Sequence, residues 1–356
     1  LRVGHVPTGR ENAPSQPEGR GLECDKLNAV AVEAHFTNFI GKLTGAAGKT
    51  RPSSLAFTHI DSWEVGYQNW TPGFRAAFRQ RRGYDPLLYL PAFGGRVVES
   101  IEVTERFLWD VRRTIADLVT ENYAATMTRL AHGHGLKLSM EGYSSLGGGP
   151  FDSLDYGGHV DLPMGEFWNE TDESVHFHPC RIMASAAHTR GRPVVAAEAF
   201  SAWPKESSWR EHPGALKRLA DAAFCEGVNQ LVLQSHALQP WLNRQPGMTF
   251  GHWGLHYDRN QTWWEQSKPW HEYLARCQFL LQRGRAVADV CYLVAEGGFA
   301  ELPTRDRLAV PMPAGRDYDL VSPAVVMAGM TVQKGRLTLP SGANYQLMVL
   351  PPGETM

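Results

Sequence analysis

Five acidic side chains stand at or just beyond the ends of apolar, strand-like runs in this sequence. They are Asp61, Glu64, Glu141, Glu166 and Glu198. In parallel α/β barrels the carboxyl ends of all strands open on one face, so we expect these side chains to converge on one pocket. Grouped carboxylates repel one another and raise each other's pKa, which is costly unless a metal, a substrate or proton transfer uses them. The pattern therefore predicts acid–base chemistry, cation binding or contacts with a substrate at the strand ends, and we assign Asp61 and Glu141 to substrate binding.

Tryptophans accompany these acids in the segments that follow the strands. Trp63, Trp168 and Trp263 are placed where they could contact a bound molecule. A flat apolar ring beside carboxylates suits a sugar, which offers both C–H faces and hydroxyl edges. The alternative for each ring is that it only fills the core. As a hypothesis, we assign all three to a carbohydrate site.

Glycoside hydrolysis uses two carboxyl groups across the scissile bond. One is protonated and assists the leaving oxygen, and the other is ionised and activates water or attacks carbon. In a (β/α)8 barrel we expect the tips of strands four and seven to face each other across the pocket. If two strands precede Leu1, Glu64 follows strand four and Glu198 lies at the tip of strand seven. These two glutamates are then the natural catalytic pair.

The elements that would position these residues alternate regularly. Short β-rich apolar runs alternate with helical patterns, as in βα units around a parallel sheet. The runs are RVGHV near residue 2, SSLAFTHI at 53–60, LKLSM at 136–140, VDLPM at 160–164, PVVAAEAF at 193–200 and NQLVLQS at 229–235. A closed barrel has eight strands. The sequence therefore predicts an α/β fold with a partial (β/α)8 TIM-type barrel, strands 3 to 8, whose first two strands lie before Leu1.

The pattern changes near residue 285. VADVCYLVAEG predicts a new strand, YDLVSPAVVMAG a helix, and GRLTLP and YQLMVLPP two further strands. We interpret residues 286–356 as the start of a smaller, Rossmann-like α/β domain that follows a catalytic barrel at residues 1–285. The barrel is predicted to be incomplete at its N-terminal end and the second domain at its C-terminal end.

Composition and motifs argue against several classes of protein. The net charge is −2 and neither sign runs in blocks, so we expect no nucleic-acid partner. The chain lacks a stretch of about 18 apolar residues, so we expect no membrane insertion. The serine-hydrolase motif GxSxG is absent, and the glycine-rich SSLGGGPF lacks the strand–GxGxxG–helix context of a dinucleotide site. The five cysteines form no CxxC pair, so neither a zinc ribbon nor a redox dithiol is indicated.

Two further polar residues are candidates for contacts with a sugar. His236 directly follows NQLVLQS, so it would stand at the tip of strand eight, where it could bind a hydroxyl or serve only the fold. Asp25 follows the first run at a distance that allows a loop over the pocket. For Asp25, sugar binding and a local salt bridge are equally compatible with the sequence.

An ordered set of motifs resembles a known family over nearly the whole chain. The motifs are GLECDKL (21–27), HIDSWEVGYQNWTPGF (59–74), MGEFW (164–168), AAEAFS (196–201) and HYDRNQTWW (256–264). Together they resemble glycoside hydrolase family 106, the α-L-rhamnosidases. A single piece such as AEAF is weak, but the set in matching order is specific.

The resemblance implies an inverting, calcium-dependent exo-hydrolase that removes terminal α-L-rhamnose from glycans or glycosides. Carried over by position, Glu64 would be the general acid, Glu198 the general base, and Glu166 a calcium ligand or a neighbour of the metal. Family habit implies a bacterial, extracytoplasmic protein, periplasmic or secreted, whose partner is a rhamnosylated carbohydrate. The alternatives are a retaining β-galactosidase-like barrel glycosidase and a non-catalytic carbohydrate-binding barrel.

Overall fold

The structure is a computed structural model of the chain. It describes residues 4–12, 15–47, 54–143, 149–169, 177–205, 209–251 and 253–352. The chain forms two compact units, which are described separately. Unit 1 comprises Leu1–Ser139, Ser144–Asp161 and Glu296–Glu301, and unit 2 comprises Met140–Tyr143, Leu162–Ala295 and Leu302–Met356. The division into domains 1–285 and 286–356 stays a prediction.

Unit 1 is mainly helical. Its helices are α1 (Ala29–Asn38), α2 (Ile40–Ala47), α3 (Phe74–Arg82), α4 (Ile101–Val119), α5 (Thr126–Gly133) and α6 (Ser153–Gly158), with 3-10 turns at Pro17–Gly19 and Pro86–Gly94. Strand β1 (Phe57–Ile60) belongs to unit 1, and strand β2 (Lys137–Glu141) begins in unit 1 and ends in unit 2.

The long apolar stripe between residues 103 and 130 forms a helix, as its period of three to four residues predicts. The buried positions of α4 include Phe107, Val111, Ile115 and Leu118. A π-helical turn, Thr120–Ala125, separates α4 from α5. Such turns occur often at functional or strained positions. Here the turn carries Asn122, whose Nδ2 donates to the Leu27 carbonyl oxygen at 2.7 Å and so ties the helix to the start of α1.

Unit 2 carries most of the strands. They are β3 (Leu162–Trp168), β4 (Ala196–Ser201), β5 (Gln230–Leu233), β6 (Val290–Leu293), β7 (Tyr318–Val321), β8 (Thr331–Gln333), β9 (Arg336–Thr338), β10 (Asn344–Tyr345) and β11 (Leu347–Val349). Its helices are α7 (His178–Thr189), α8 (Pro213–Cys225), α9 (Lys268–Leu281) and α10 (Pro323–Met327), with 3-10 turns at Trp264–Gln266 and Arg305–Arg307. Within the described ranges, each helix is too short or too polar to cross a membrane.

The described strands form three sheets. A parallel five-stranded sheet, half of a barrel, has the order β1-β2-β3-β4-β5, so its strands follow the chain. A second parallel sheet has the order β11-β6-β7, and an antiparallel sheet has the order β10-β9-β8. The α/β fold with a parallel, barrel-like sheet that the sequence predicted is therefore confirmed.

Five of the six apolar runs form the strands of the five-stranded sheet. The first run, RVGHV, differs: residues 4–6 are not in a strand, and Arg2 and Val3 lie outside the described residues. The numbering of these strands as barrel strands 3 to 8 stays a prediction.

A glycine brings helix α7 directly against strand β3. A Cβ atom on Gly165 would lie 2.7 Å from the backbone N and Cα of Cys180, the third residue of α7. Only a residue without a side chain permits so close an approach of two backbones. Strand β3, which carries Glu166, is therefore supported by the backbone of α7 rather than by flexible side chains.

The contacts on the other side of α7 are polar and reach strand β7. They lie on one face of the helix, because positions 181, 185 and 188 are spaced by three and four residues. Arg181 Nη1 donates to the Tyr318 carbonyl at 3.0 Å, the Leu320 amide donates to Ser185 Oγ at 3.0 Å, and His188 Nδ1 lies 2.9 Å from Asp319 Oδ1. Helix α7 thus joins the five-stranded sheet to the second parallel sheet within unit 2.

The helix predicted over YDLVSPAVVMAG is wrong in its first half. Tyr318–Val321 is a strand whose four residues are all buried, and the helix α10 begins only at Pro323. A short apolar run fits a buried strand and a buried helix equally well, so periodicity could not separate them. The local start signal was present: Ser322 accepts a hydrogen bond from the Val325 amide, and proline occupies the first helical position.

Candidate active site

Three of the five predicted acids lie on neighbouring strands in unit 2. Glu141 ends β2, and Glu166 and Glu198 are register partners in the parallel strands β3 and β4. Neighbouring strands are about 4.8 Å apart, and register partners point to the same face of a sheet. The structure therefore brings Glu141, Glu166 and Glu198 together. We call these three residues the acid cluster.

Tyr143 links two members of the acid cluster. Its hydroxyl lies 3.2 Å from Glu141 Oε2 and makes a closer hydrogen bond to Glu166 Oε2. Burial, followed by the charges of Glu141 and Glu166, raises the pKa of Tyr143 well above its usual value. The phenol therefore keeps its proton and donates it, which lowers the cost of placing two carboxylates side by side.

The acids of β3 and β4, Glu166 and Glu198, each accept a hydrogen bond from a further donor that fixes their orientation. Trp168 Nε1 donates to Glu166 Oε1, so both oxygens of this carboxylate accept hydrogen bonds. Ser201 Oγ donates to Glu198 Oε1 at 2.5 Å. The placement of Trp168 beside Glu166 agrees with a role at the site, although that role stays a prediction.

Asp61, Trp63 and Glu64 lie in unit 1, directly after strand β1. Glu64 is exposed and accepts a hydrogen bond from Ser62 Oγ at 2.9 Å. Asp61 is also exposed, and its Oδ1 accepts from the Ser62 amide at 2.8 Å. Glu64 and Glu198 belong to different units, so their pairing across a scissile bond stays a prediction.

Trp63 packs into unit 1. Its indole donates to the Gly66 carbonyl at 2.8 Å, and its ring meets Phe151 edge-on at 5.5 Å. The Lys26 ammonium lies 5.5 Å from the Trp63 ring centre and pairs with Glu23 at 2.5 Å. These contacts hold the side chain that immediately precedes Glu64. They therefore fix the start of the loop that carries the predicted general acid.

Asp25 has the contacts of a structural residue. Its Oδ1 accepts from the Leu27 amide at 3.0 Å and from Gln68 Nε2, and its Oδ2 accepts from Thr71 Oγ1 at 2.6 Å. The carboxylate thereby fastens the turn before α1 to the segment that leads into α3. These contacts are local and are made of hydrogen bonds rather than a salt bridge, and contact of Asp25 with a sugar stays a prediction.

His236 and Trp263 stand beyond β5 in unit 2. His236 Nδ1 lies 3.0 Å from the Tyr257 carbonyl oxygen, and the Trp263 indole donates to the Glu211 carbonyl at 2.9 Å. The Trp263 ring also meets Tyr257 edge-on at 5.4 Å. Both side chains therefore contribute to the framework of these loops, and their contact with a sugar stays a prediction.

Tyr143 is the residue of this site that our assignment missed. The sequence did contain a signal, because Tyr143 stands two positions after Glu141 at the end of a strand. Side chains two apart in extended chain point to the same side. An aromatic hydroxyl at that spacing from a strand-end acid is placed to contact the same pocket.

The acid cluster also suits a hard cation by its chemistry. Its members Glu141 and Glu166, carboxylates on neighbouring strands, and the adjoining Tyr143 hydroxyl offer only oxygen atoms. Calcium and magnesium prefer such ligands, whereas zinc prefers nitrogen and sulfur. The donor atoms of Glu141 and Glu166 are therefore of the kind that calcium prefers, and calcium binding stays a prediction.

A profile described as α-L-rhamnosidase, glycoside hydrolase family 106, matches residues 1–356. The chain belongs to the α-L-rhamnosidase family. The family resemblance drawn from the five motifs is therefore confirmed.

Individual relatives agree with membership of the α-L-rhamnosidase family. A rhamnosidase from Novosphingobium sp. PP1Y has a similar structure, with a TM-score of 0.87 and 32% identity over 96% of this chain and 33% of that one. A Formosa agariphila protein provisionally named a β-glucuronidase is 38% identical over 99% of this chain and 29% of its own length. The chain thus spans about a third of the length of these relatives.

A β-galactosidase from the psychrophilic Marinomonas ef1 shares the fold. The TM-score is 0.53 with 13% identity, over 95% of this chain and 57% of that one. At this identity the likeness concerns the fold alone.

Proposed function

We propose that this chain is part of a glycoside hydrolase that removes terminal α-L-rhamnose with inversion of configuration. The observation that carries the proposal is the acid cluster, in which Glu198 is the register partner of Glu166 and is oriented by Ser201. It occurs in a member of the α-L-rhamnosidase family that resembles a solved rhamnosidase. The bound molecule is a rhamnosylated glycan or glycoside.

In this proposal Glu198 is the general base and Glu64 the general acid. Glu198 takes a proton from the attacking water while Ser201 holds its other oxygen, and Glu64 gives a proton to the departing glycosidic oxygen. Glu64 is exposed, so it can recover its proton from solvent between turnovers. An inverting enzyme leaves room for the water, with its carboxyl groups about 6.5 to 9.5 Å apart.

We also propose that the site uses calcium and that the protein works outside the cytoplasm. Glu141 and Glu166 would hold the ion, with Tyr143 fixing the Glu166 carboxylate. A bound calcium ion supplies positive charge that binds and orients sugar hydroxyls. The acid and base steps remain those of Glu64 and Glu198, and the extracytoplasmic location follows from the family habit.

The test is hydrolysis of an aryl α-L-rhamnoside by the full-length protein, with and without a calcium chelator. NMR of the first-formed sugar gives the anomer, and retention of configuration would overturn the inverting mechanism. Glu198→Gln should abolish turnover while sugar binding persists. Glu272→Gln removes an exposed carboxylate paired with Lys268 on α9 and should change neither. Unchanged turnover in Glu198→Gln would exclude Glu198 as the general base, whereas a wild-type protein that binds the rhamnoside without hydrolysing it would favour a non-catalytic carbohydrate-binding barrel.

A second candidate function has one observation in its favour. The Formosa agariphila relative is 38% identical and carries a β-glucuronidase name. An aryl β-D-glucuronide offered beside the aryl α-L-rhamnoside separates the two substrates. Preference for the glucuronide would replace the rhamnosidase proposal.

A retaining β-galactosidase-like reaction would show itself by carboxyl groups about 5 to 5.5 Å apart and a retained anomer.

A further inference from the structure

Three tryptophans from three successive strand ends gather in unit 2. Trp168 is the last residue of β3, Trp203 follows β4, and Trp253 lies in the segment after β5. The Trp203 ring centre is 5.3 Å from that of Trp168 and 4.8 Å from that of Trp253, and Trp168 and Trp253 meet edge-on at 6.2 Å. We call these residues the tryptophan cluster.

The tryptophan cluster adjoins the acid cluster. The Trp168 indole donates to Glu166, so its position is tied to that carboxylate. Trp203 stands two residues after Ser201, the residue that orients Glu198. The cluster is therefore tied to the acid cluster through Trp168, and Trp203 and Trp253 pack against that ring.

The outer member of the cluster presents apolar surface to solvent. Trp203 is 43% exposed, although its ring is held between two other indoles. Aromatic rings bury large apolar areas and prefer offset or edge-on partners, so a fixed and exposed ring gains from a further flat partner. A tryptophan also loses little conformational entropy on binding when its neighbours already hold it in place.

We propose that the tryptophan cluster is a binding subsite for the leaving-group side of the substrate, and that it takes a flat apolar face. The proposal rests on the proposed function. A terminal sugar rich in hydroxyls suits the acids, whereas the group beyond the scissile bond would reach the outer, exposed ring. The flat face is that of an aromatic aglycone or the C–H face of a second sugar.

The test compares phenyl α-L-rhamnoside, a rhamnosyl-glucose disaccharide and methyl α-L-rhamnoside with the full-length enzyme. Trp203→Ala should raise KM for at least one of the first two by about 2- to 10-fold, the size expected of one aromatic contact. It should leave the methyl glycoside and kcat unchanged. Trp203→Tyr keeps a ring and should restore most of the binding. We avoid Trp168 as the test position because its loss would also release Glu166.

A matched control is available on helix α4. Trp109 is 42% exposed, so Trp109→Ala removes the same side chain from a comparable surface and should alter none of the three substrates. A KM increase for the phenyl glycoside alone identifies an aromatic aglycone, and an increase for both larger substrates identifies any flat face. Equal changes for all three substrates, or none, would overturn the subsite.

The two proposals fail in different ways. If the wild-type enzyme hydrolyses none of the three rhamnosides, the proposed function is wrong. The subsite proposal is then tested by measuring the binding of phenyl α-L-rhamnoside by calorimetry. Weaker binding by Trp203→Ala than by Trp109→Ala supports the subsite, and equal binding by the two variants refutes it.

Discussion

Replacing Asp152 in unit 1 should change the free energy of unfolding in opposite directions at low and at high pH. Its Oδ1 accepts hydrogen bonds from the Leu154 and Asp155 amides at 3.1 and 3.2 Å, and so caps the start of α6. Its Oδ2 accepts from the Gly297 amide at 3.4 Å. Burial, followed by the charge of Asp155, raises the pKa of Asp152 from 3.8 to about 7.

The raised pKa makes the folded state less stable as pH increases. Between pH 4 and pH 7 the unfolded chain releases the Asp152 proton while the folded chain retains it, so stability falls through this window. The shift from 3.8 to about 7 is about 3 units, and each unit corresponds to about 1.4 kcal/mol. The contribution lost above pH 7 is therefore up to about 4 kcal/mol.

Asp152→Asn should reverse its effect on stability between acid and alkaline pH. The amide oxygen can still cap the helix, but the amide nitrogen then faces the Gly297 N–H, which costs about 1 to 3 kcal/mol. At pH 4 the wild-type carboxyl is neutral, so the variant should be less stable by that amount. At pH 8 removal of the buried charge outweighs the cost, and the variant should be more stable by about 1 to 3 kcal/mol.

Urea unfolding at pH 4 and pH 8 measures both free energies of unfolding. The control is Asp161→Asn, because Asp161 also accepts a backbone hydrogen bond in unit 1, from the Leu138 amide at 2.9 Å, and pairs with His132. Asp161→Asn should lower the free energy of unfolding at pH 8, whereas Asp152→Asn should raise it. If Asp152→Asn is destabilised equally at both pH values, burial does not govern the ionisation of Asp152.

Two further predictions concern unit 2 and its acid cluster. Gly165→Ala places a methyl group 2.7 Å from the Cys180 backbone and should lower the free energy of unfolding, measured with urea, by about 3 kcal/mol. Gly133→Ala places its methyl group in open space and should leave that free energy unchanged. A normal unfolding midpoint for Gly165→Ala would contradict the packing of α7 on β3. Tyr143→Phe should lower turnover by about 10- to 100-fold because Glu166 loses a donor. Tyr84→Phe breaks a similar bond to Asp110 in unit 1 and should leave turnover intact in steady-state assays, so equal losses would refute a specific role for Tyr143.

The sequence predicted the parts of this molecule that repeat with a regular period. The apolar runs gave five strands and their parallel arrangement, because buried parallel strands and intervening amphipathic helices leave distinct patterns. The grouping of Glu141, Glu166 and Glu198 followed from that arrangement, since register partners point to one face. Contacts made by side chains from different loops leave no period. The spacing of Tyr143 from Glu141 indicates a shared pocket, but the bond from Tyr143 to Glu166 and the contact of Trp253 with Trp203 could be recognised only in three dimensions.

The prediction for strand β7, which was expected to be helical, was wrong for a different reason. Its four residues are buried on both faces, so neither a two-residue nor a 3.6-residue period appears in Tyr318–Val321. The burial of this strand comes partly from α7, whose contacts lie more than a hundred residues earlier in the chain. Such a strand is specified by its partners rather than by its own pattern.

The contacts of α7 give the second parallel sheet a part in placing the acid cluster. The helix meets β3 through backbone at Gly165, so any shift of α7 is transmitted to the strand that carries Glu166. On its other face Arg181 pairs with Asp317 at 3.1 Å and with Glu226 at 2.7 Å, and it is almost fully buried. Because the Arg181 side chain is buried whereas Asp317 and Glu226 are partly exposed, loss of either carboxylate would leave its positive charge less well compensated. The position of Glu166 therefore depends on residues of the second sheet as well as on its own strand, since α7 is held from both sides.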